Sequence, residues 1–438
     1  MASRPPKSGF RKPSFRREDR TDRVPQLLEA DEAGPAAIVS RRASDRLRAG
    51  HLWVYRSDVE SLIPALGATE PKTGGLLTLL DSRRIPLGTG LYSSASQLAL
   101  RKVSAEPRVG RGEYLDDVVT RVRAALALRQ PMFDAATDSA RLIFSEADDL
   151  PGIVADRYRN LVVLQLLTQG TAQDDLREVL ARELAVDGVD LIIERPDPRI
   201  RELEQLDAPS AAPLFVREGF AGPPKTEFML NGLRLHYDAN AGQKTGAFLD
   251  QRMNYAAAAA HAHGEALDIC TYQGGFALHL ARVCTRVTGV DQSRSALEIA
   301  ESNLALNRDA ISAEVDWIEA DAFELLRTYD SEERRFDTIV LDPPAFAKSK
   351  RAAENAMRGY KEMNLRALRM LRPGGTLITC SCSHHVSCEE FTATVAEAAS
   401  DAERHVRVIE TRGASIDHPE VLTLPETAYL KCLIARVD

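Results

Sequence analysis

The chain of 438 residues is short of cysteine, with six, and short of aromatics, at 6%, with only two tryptophans. Six thiols over this length exclude a disulfide-stapled secreted scaffold. In a reducing compartment they serve as small buried hydrophobes, metal ligands or nucleophiles. No apolar run is long enough to cross a bilayer, so no membrane partner is expected. The opening MASRPPKSGF has no apolar core followed by a small-residue cleavage site, which leaves a cytoplasmic protein as the expectation. Two motifs are missing as well. There is no GxGxxG of the common dinucleotide fingerprint, and no paired C-x2-C of a zinc site.

What is present suits a soluble globular chain, with 44% hydrophobic and 27% charged residues. At roughly 150 residues per domain the length implies about three domains. The net charge of −8 speaks against nucleic acid as a partner of the whole surface, but the charge is uneven. Residues 1–24 hold eight Lys or Arg against three acids, a local +5, and the remainder carries −13. A basic arm on an acidic body is an arrangement that meets RNA; a solvated tail without a partner has the same composition.

Residues 1–34 are rich in Pro, Ser and Arg without periodicity and read as a disordered basic arm. Short apolar runs broken by Gly and Pro follow (AAIVS, HLWVYRSDV, GGLLTLLD, PLGTGLY, LALRKVS), which predicts a small β-rich domain over 35–106. Helical spacing from Leu115 then opens a central α+β module over 113–222, in the order β-β-β-α-β. Its last part, DAPSAAPLFVREGFAGPP, reads as a linker or loop. FMLNGLRLHYD reads as a hairpin turning at Asn231-Gly232. Beyond Asp250 strands and helices alternate, which predicts a parallel Rossmann-like sheet covered on both faces and a final antiparallel pair. The fold class is α/β, with the two smaller domains in front.

The chemistry gathers at the carboxyl ends of those strands. The first ends in Asp268-Ile269 and runs into Cys270-Thr271-Tyr272-Gln273-Gly274-Gly275-Phe276, a strand-to-helix turn at which a ligand can approach the backbone. The second ends in Asp291, placed to accept from ribose hydroxyls. The third leads to Asp321, and the fourth to Asp342-Pro343-Pro344-Ala345-Phe346. Successive strands ending in polar groups mark a ligand crevice, although each Asp alone could be a helix N-cap. In the fourth run the prolines lock an extended loop with carbonyls to spare, suited to gripping a base by its exocyclic amino group. The fifth strand enters Cys380-Ser381-Cys382-Ser383-His384-His385 and then Cys388. Buried thiols, a zinc site and a nucleophilic thiolate all remain open there.

Taken with HLWVYRSDV, SEADDLPGIVADRYRNLVVLQLL, GQKTGAFLDQR, GYKEMNLRAL and the C-terminal DHPE and YLKC, these motifs resemble one family from about Ala36 to Asp438. It is the RlmI-type large-subunit ribosomal RNA (cytosine-5) methyltransferases. The resemblance implies a PUA domain, an EEHEE module and a methyltransferase domain over 223–438. It implies S-adenosylmethionine as cofactor, held by Tyr272, Gly274, Gly275, Phe276, Asp291, Asp321 and Asp342, and no metal. It implies Cys382 as the catalytic thiol, with Asp342 beside it, and ribosomal RNA as partner, with a homodimer compatible. Lys244, Thr245, Gln251, Pro343 and Phe346 become the substrate-side candidates. The chain departs from the family at Ala345, where a Lys is usual, at His384, where a small residue is usual, and in its extra basic arm. Amino-nitrogen methylation of adenine or guanine, or a non-catalytic RNA-binding assembly factor on the same fold, are the rival readings.

If the basic arm contacts phosphates, deleting residues 1–34 weakens RNA binding and flattens its dependence on salt, because fewer counterions are released. Filter binding across a salt series measures this; an unchanged slope makes the arm a solvated tail.

Overall fold

The computed structural model describes residues 34–240, 247–346 and 353–438; residues 1–33 of the basic arm, Lys244 and Thr245 lie outside them. The N-terminal strands β1 (Ala36–Val39), β2 (Trp53–Tyr55), β3 (Val59–Ile63), β4 (Leu76–Leu80), β5 (Pro86–Tyr92) and β6 (Leu98–Ser104) form one sheet in the order β2-β6-β5-β4-β1-β3. Helix α1 (Arg41–Arg48) follows β1, capped by Ser40, whose Oγ accepts from Ala43 N at 3.2 Å. It lays Ala43 and Leu47 into the core beside Val39, Val54, Leu79 and Leu100. The sequence pattern gave no sign of α1, because most of RRASDRLR is charged and too little apolar spacing remains to read.

The central module starts with α2 (Arg111–Arg129) and continues through β7 (Ser139–Phe144), β8 (Ile153–Tyr158), β9 (Leu161–Leu166), α3 (Asp174–Leu184) and β10 (Leu191–Glu194). That is the expected order. A short helix α4 (Pro198–Glu204), capped by Asp197, and a strand β11 (Phe215–Val216) complete it. The stretch expected to be only a linker or loop therefore adds an edge strand, with β11 antiparallel to β10. Arg217 anchors it by donating to the carbonyls of Val186 and Val189.

The hairpin of β12 (Lys225–Leu230) and β13 (Leu233–Asp238) turns at Asn231 and Gly232, both with positive φ, as a two-residue turn matching strand twist requires. Then come α5 (Arg252–His261), β14 (Glu265–Ile269), α6 (Gly275–Leu280), β15 (Arg286–Asp291), α7 (Arg294–Leu306), β16 (Glu314–Glu319), α8 (Ala322–Ser331), β17 (Phe336–Leu341), α9 (Ala353–Met370), β18 (Leu371–Ser381), α10 (Cys388–Asp401), β19 (Val406–Arg412) and β20 (Lys431–Val437). The sheet runs β16-β15-β14-β17-β18-β20-β19, parallel from β16 to β18 and antiparallel at β20 and β19. Helices α5, α6 and α7 cover one face, and α8, α9 and α10 the other.

Two contacts fix the central module against this sheet. Tyr158 of β8 stacks on Tyr237 of the hairpin at 3.8 Å, and the shared core continues from there to Ile434 in β20. Arg129, fully buried at the end of α2, holds both oxygens of Asp148 at 2.5 and 2.8 Å and donates to the carbonyl of Asp417 at 3.0 Å. Asp417 Oδ2 accepts from Arg141 N in return. Burial opposes the Asp417 charge, but His418 beside it, Arg252 and that N–H bring its pKa down to about 2.

His279 of α6 is buried with Nδ1 2.7 Å from the Gly275 carbonyl and Nε2 3.1 Å from Asn231 Nδ2, contacts that a neutral ring satisfies. Burial lowers its pKa to about 4, partly offset by the Gly275 hydrogen bond. The neutral ring's contribution is thus fully present above its unfolded value of about 6.5 and is lost as pH falls towards 4. His279→Gln does not titrate there. Urea denaturation should find the stability advantage of the wild type over this variant shrinking by about 3 kcal/mol from about pH 7 to about pH 4. A gap independent of pH would mean that the imidazole is already charged in the fold.

Candidate active site

The turn after β14 is held in an unusual backbone shape. Cys270, Tyr272 and Gly274 have φ of 65°, 52° and 86°, left-handed values that cost free energy at the two non-glycine positions. The surrounding carboxylates stabilise it. Asp268 is buried in β14, and its Oδ2 accepts from Thr271 Oγ1 at 2.6 Å and from Ala277 N at 2.9 Å. Burial pushes its pKa up to about 7 against the pull of those two hydrogen bonds. Asp291, at the end of β15, accepts from Tyr272 N at 2.9 Å with one oxygen and from Ser293 N at 2.8 Å with the other. Asp321 caps α8, its Oδ1 accepting from Phe323 N and Glu324 N.

The glycines have a packing cause that the sequence did not suggest. A Cβ at Gly275 would stand 2.5 Å from the Tyr255 hydroxyl, and one at Gly289 would stand 2.4 Å from the Trp317 ring. Phe276 turns its ring into the core, edge-on to Tyr255 at 4.7 Å, so it offers the crevice its backbone alone.

Asp342 follows β17 on the facing wall. Its N–H donates to the Ile269 carbonyl, and its Oδ1 accepts from Gln251 Nε2 at 3.0 Å. Gln251 is only 2% exposed and accepts from Asn254 through its own carbonyl, so it stands behind Asp342 and orients it rather than lining the crevice. Cys382 lies just past β18, half-buried, with Sγ 3.9 Å from the Pro343 carbonyl. Cys380 is fully buried opposite Cys432 of β20, and burial pushes its thiol well above the usual range. Cys388 is exposed at the start of α10.

The backbone around Cys382 is fixed on both sides. The Tyr360 hydroxyl lies 2.9 Å from both Ser381 Oγ and Ser383 Oγ. Lys431 Nζ donates to the carbonyls of Ser383 and Tyr429 at 2.7 and 2.8 Å. Burial lowers the pKa of Lys431 to about 8, while Cys382, Cys388 and Glu390 pull it upwards. Phe346 packs on Tyr360 at 4.8 Å and so supports this loop from behind. The structure thus gathers Tyr272, Gly274, Gly275 and Asp291 on one wall and Asp342, Pro343 and Cys382 on the other. Asp268 belongs to the strand-end run singled out in the sequence, whereas Tyr360 and Lys431 do not read as site residues there; for Lys431 the one available signal is a lysine at the head of the apolar run of β20.

Tyr272, Gly274, Gly275 and Asp291 present a carboxylate and backbone N–H groups; the two arginines of this stretch are engaged elsewhere, Arg282 on the Asn231 carbonyl and Arg286 on Glu314. Such a donor set suits the hydroxyls of an adenosyl group and not a chain of phosphates. The groups for S-adenosylmethionine are therefore in place. No helix among the described residues is long and apolar enough to cross a membrane.

Comparison with known proteins agrees. A family profile described as S-adenosylmethionine-dependent methyltransferase matches residues 212–436, and a PUA-like domain profile matches residues 37–105. The ribosomal RNA large subunit methyltransferase I of Shewanella amazonensis is 36% identical over 401 residues, covering 88% of this chain and 95% of that protein. Its counterpart from Erwinia tasmaniensis is 35% identical over 403 residues, covering 91% and 98%. A S-adenosylmethionine-dependent methyltransferase from Streptococcus mutans superposes with a TM-score of 0.75 at 17% identity, covering 91% of this chain and 99% of that one. A methyltransferase crystallised with S-adenosylhomocysteine gives the same values. The chain belongs to the S-adenosylmethionine-dependent methyltransferases, in the family of ribosomal RNA large subunit methyltransferase I.

Proposed function

We propose that the protein methylates C5 of a cytosine in large-subunit ribosomal RNA, through a temporary bond from Cys382 to C6. The RNA substrate rests on the names of the relatives and on the PUA-like domain. The observation that carries the mechanism is the position of Cys382. Of the thiols at 380, 382 and 388, this one stands at the crevice, against the Pro343 carbonyl and next to the loop of Asp342.

Cytosine C5 is too weakly nucleophilic to attack a methyl sulfonium unaided. Addition of the Cys382 thiolate to C6 moves the ring electrons to C5, which then takes the methyl group. A base removes the C5 proton, the double bond re-forms and the thiolate leaves. Asp342, oriented by Gln251, and the Pro343 carbonyl are the acceptors for the exocyclic amino group of the base. Bound S-adenosylmethionine supplies the electrophilic methyl group. Asp291 and Asp321 hold its ribose and adenine sides, while Tyr272, Gly274, Gly275 and the Phe276 backbone form the turn it rests on. In this reading residues 35–106 grip RNA, 113–222 set the spacing, and 223–438 carry the transfer. A base in structured RNA leaves its stack to enter such a site.

Cys382→Ala should abolish methylation of ribosomal RNA and leave cofactor affinity intact, since the thiol is needed for attack and not for holding the sulfonium. Cys380→Ala should cost stability, of order 1 kcal/mol for the lost buried thiol, and keep activity. RNA carrying 5-fluorocytosine should trap a covalent adduct with the wild type and none with Cys382→Ala, because fluorine cannot leave as a proton does. Normal methylation by Cys382→Ala would transfer the assignment to amino-nitrogen chemistry, which needs no thiol. No transfer of labelled methyl to any RNA would leave a binding factor.

Asp291→Ala should weaken S-adenosylmethionine binding by roughly 1–3 kcal/mol, since it unpairs the ribose hydroxyls and frees Tyr272 N together. Calorimetry that finds unchanged affinity would remove Asp291 from the site.

A further inference from the structure

A second cavity, of about 300 Å³, opens where the three modules meet. Trp53 of β2 contributes one side, Phe144 and Glu146 of the central module another, and Phe248, His384 and Tyr429 of the methyltransferase domain the third. Its walls are rings in fixed positions. His384 stacks on Tyr429 at 5.2 Å and 28°, and Phe144 lies 6.3 Å from the same Tyr429. The Trp53 indole N–H donates to Glu146 Oε1 at 2.9 Å, which sets the plane of the indole from the neighbouring module. Tyr429 donates to Asp250 at 2.5 Å.

The cavity adjoins both halves of the site already described. Phe248 packs edge-on against Tyr272 of the cofactor turn at 5.1 Å. His384 is two residues past Cys382, and Lys431 joins the Tyr429 carbonyl to that of Ser383. A volume at the lower end of small-ligand pockets, aromatic rings from all three modules and a lining of polar groups, Arg141, Glu146, Asp250 and Glu426 among them, suit one planar, polar ring. Bases taken out of a stack are read in that way, by stacking and by edge hydrogen bonds.

We propose that the target pyrimidine is seated where this cavity adjoins Cys382, stacked on the cavity's rings while its edge reaches Asp342 and the Pro343 carbonyl, and that Trp53 of the PUA-like domain forms part of the cavity wall. Resting on the RNA methylation reading, the proposal adds that the PUA-like domain does more than grip RNA at a distance. It completes the chamber in which the base reacts, with Glu146 as the positioning residue for its indole. A base can then be held in register with Cys382 only when all three modules are docked.

The test uses the full chain with Trp53→Ala, Trp53→Phe and Glu146→Gln. RNA affinity is measured by filter binding, cofactor affinity by calorimetry, and adduct formation on 5-fluorocytosine RNA at saturating RNA. Trp53→Ala should slow adduct formation at saturation about tenfold, the equivalent of one lost base–aromatic stack, with cofactor affinity unchanged. Trp53→Phe, which keeps a ring in place, should recover most of the rate, and Glu146→Gln should fall between the two. A loss confined to RNA affinity, or no loss in any measurement, overturns the proposal. So does a Phe variant as slow as the Ala variant while cofactor affinity reports an intact fold. Should the wild type form no adduct at all, the cytosine-C5 reading fails by itself. The same variants are then judged by labelled methyl transfer to RNA at saturation, with the same criteria.

Discussion

The arrangement depends on a guanidinium that never meets water. Arg129 closes α2, binds both oxygens of Asp148 and reaches the backbone of Asp417 in the methyltransferase domain. A buried ion pair of this kind adds little net stability over an apolar replacement, but loss of one partner costs about 3–5 kcal/mol, since the other charge is left stranded. Its worth here is geometric. Arg141 N on Asp417, and the Arg141 side chain on both oxygens of Asp156, extend the same lattice into β7 and β8. Phe144 ends β7 and Glu146 lies two residues on, so the pose of the central module sets its own wall of the junction cavity and, through the Glu146 hydrogen bond, the Trp53 indole of the next.

Much of the fold was legible because its driving patterns are local. The parallel sheet announced itself through apolar strands alternating with amphipathic helices, and the hairpin through Asn231-Gly232. The relation of Cys380 to Cys382 followed from strand periodicity and direction, with the inner thiol deep in the core and the outer one at the crevice. Other features depend on partners far away in sequence. Gln251 resembled a substrate ligand until Asp342, distant along the chain, took its amide. Phe276 belonged to a cofactor motif, yet a core ring at Tyr255 claims its side chain. Helix α1 forms because the sheet beneath it accepts Ala43 and Leu47, a tertiary effect that a run of arginines conceals.

The carboxylates at the crevice already have structural work, which leaves room for a second role. Asp291 braces the turn and the start of α7 with hydrogen bonds to both its oxygens, and Asp321 caps a helix. Each oxygen still has lone pairs to offer a hydroxyl. The helix-cap reading and the ligand reading of such residues are therefore compatible, and a cap that also accepts from a ligand is already oriented when the ligand arrives.

One feature of the core bears on how such proteins can be recombined. The hairpin of β12 and β13 packs Phe228, Leu235 and Tyr237 into a hydrophobic cluster shared with Tyr158 and Val163 on one side and with Phe276 and Leu304 on the other. A crossover placed in the stretch before the hairpin would separate Tyr158 from Tyr237 and bare an apolar seam on both fragments. The catalytic half is accordingly not a free-standing cassette. Chimaeras that exchange it among relatives should inherit β8, β9 and β10 along with it, so the natural unit of inheritance is the pair of modules.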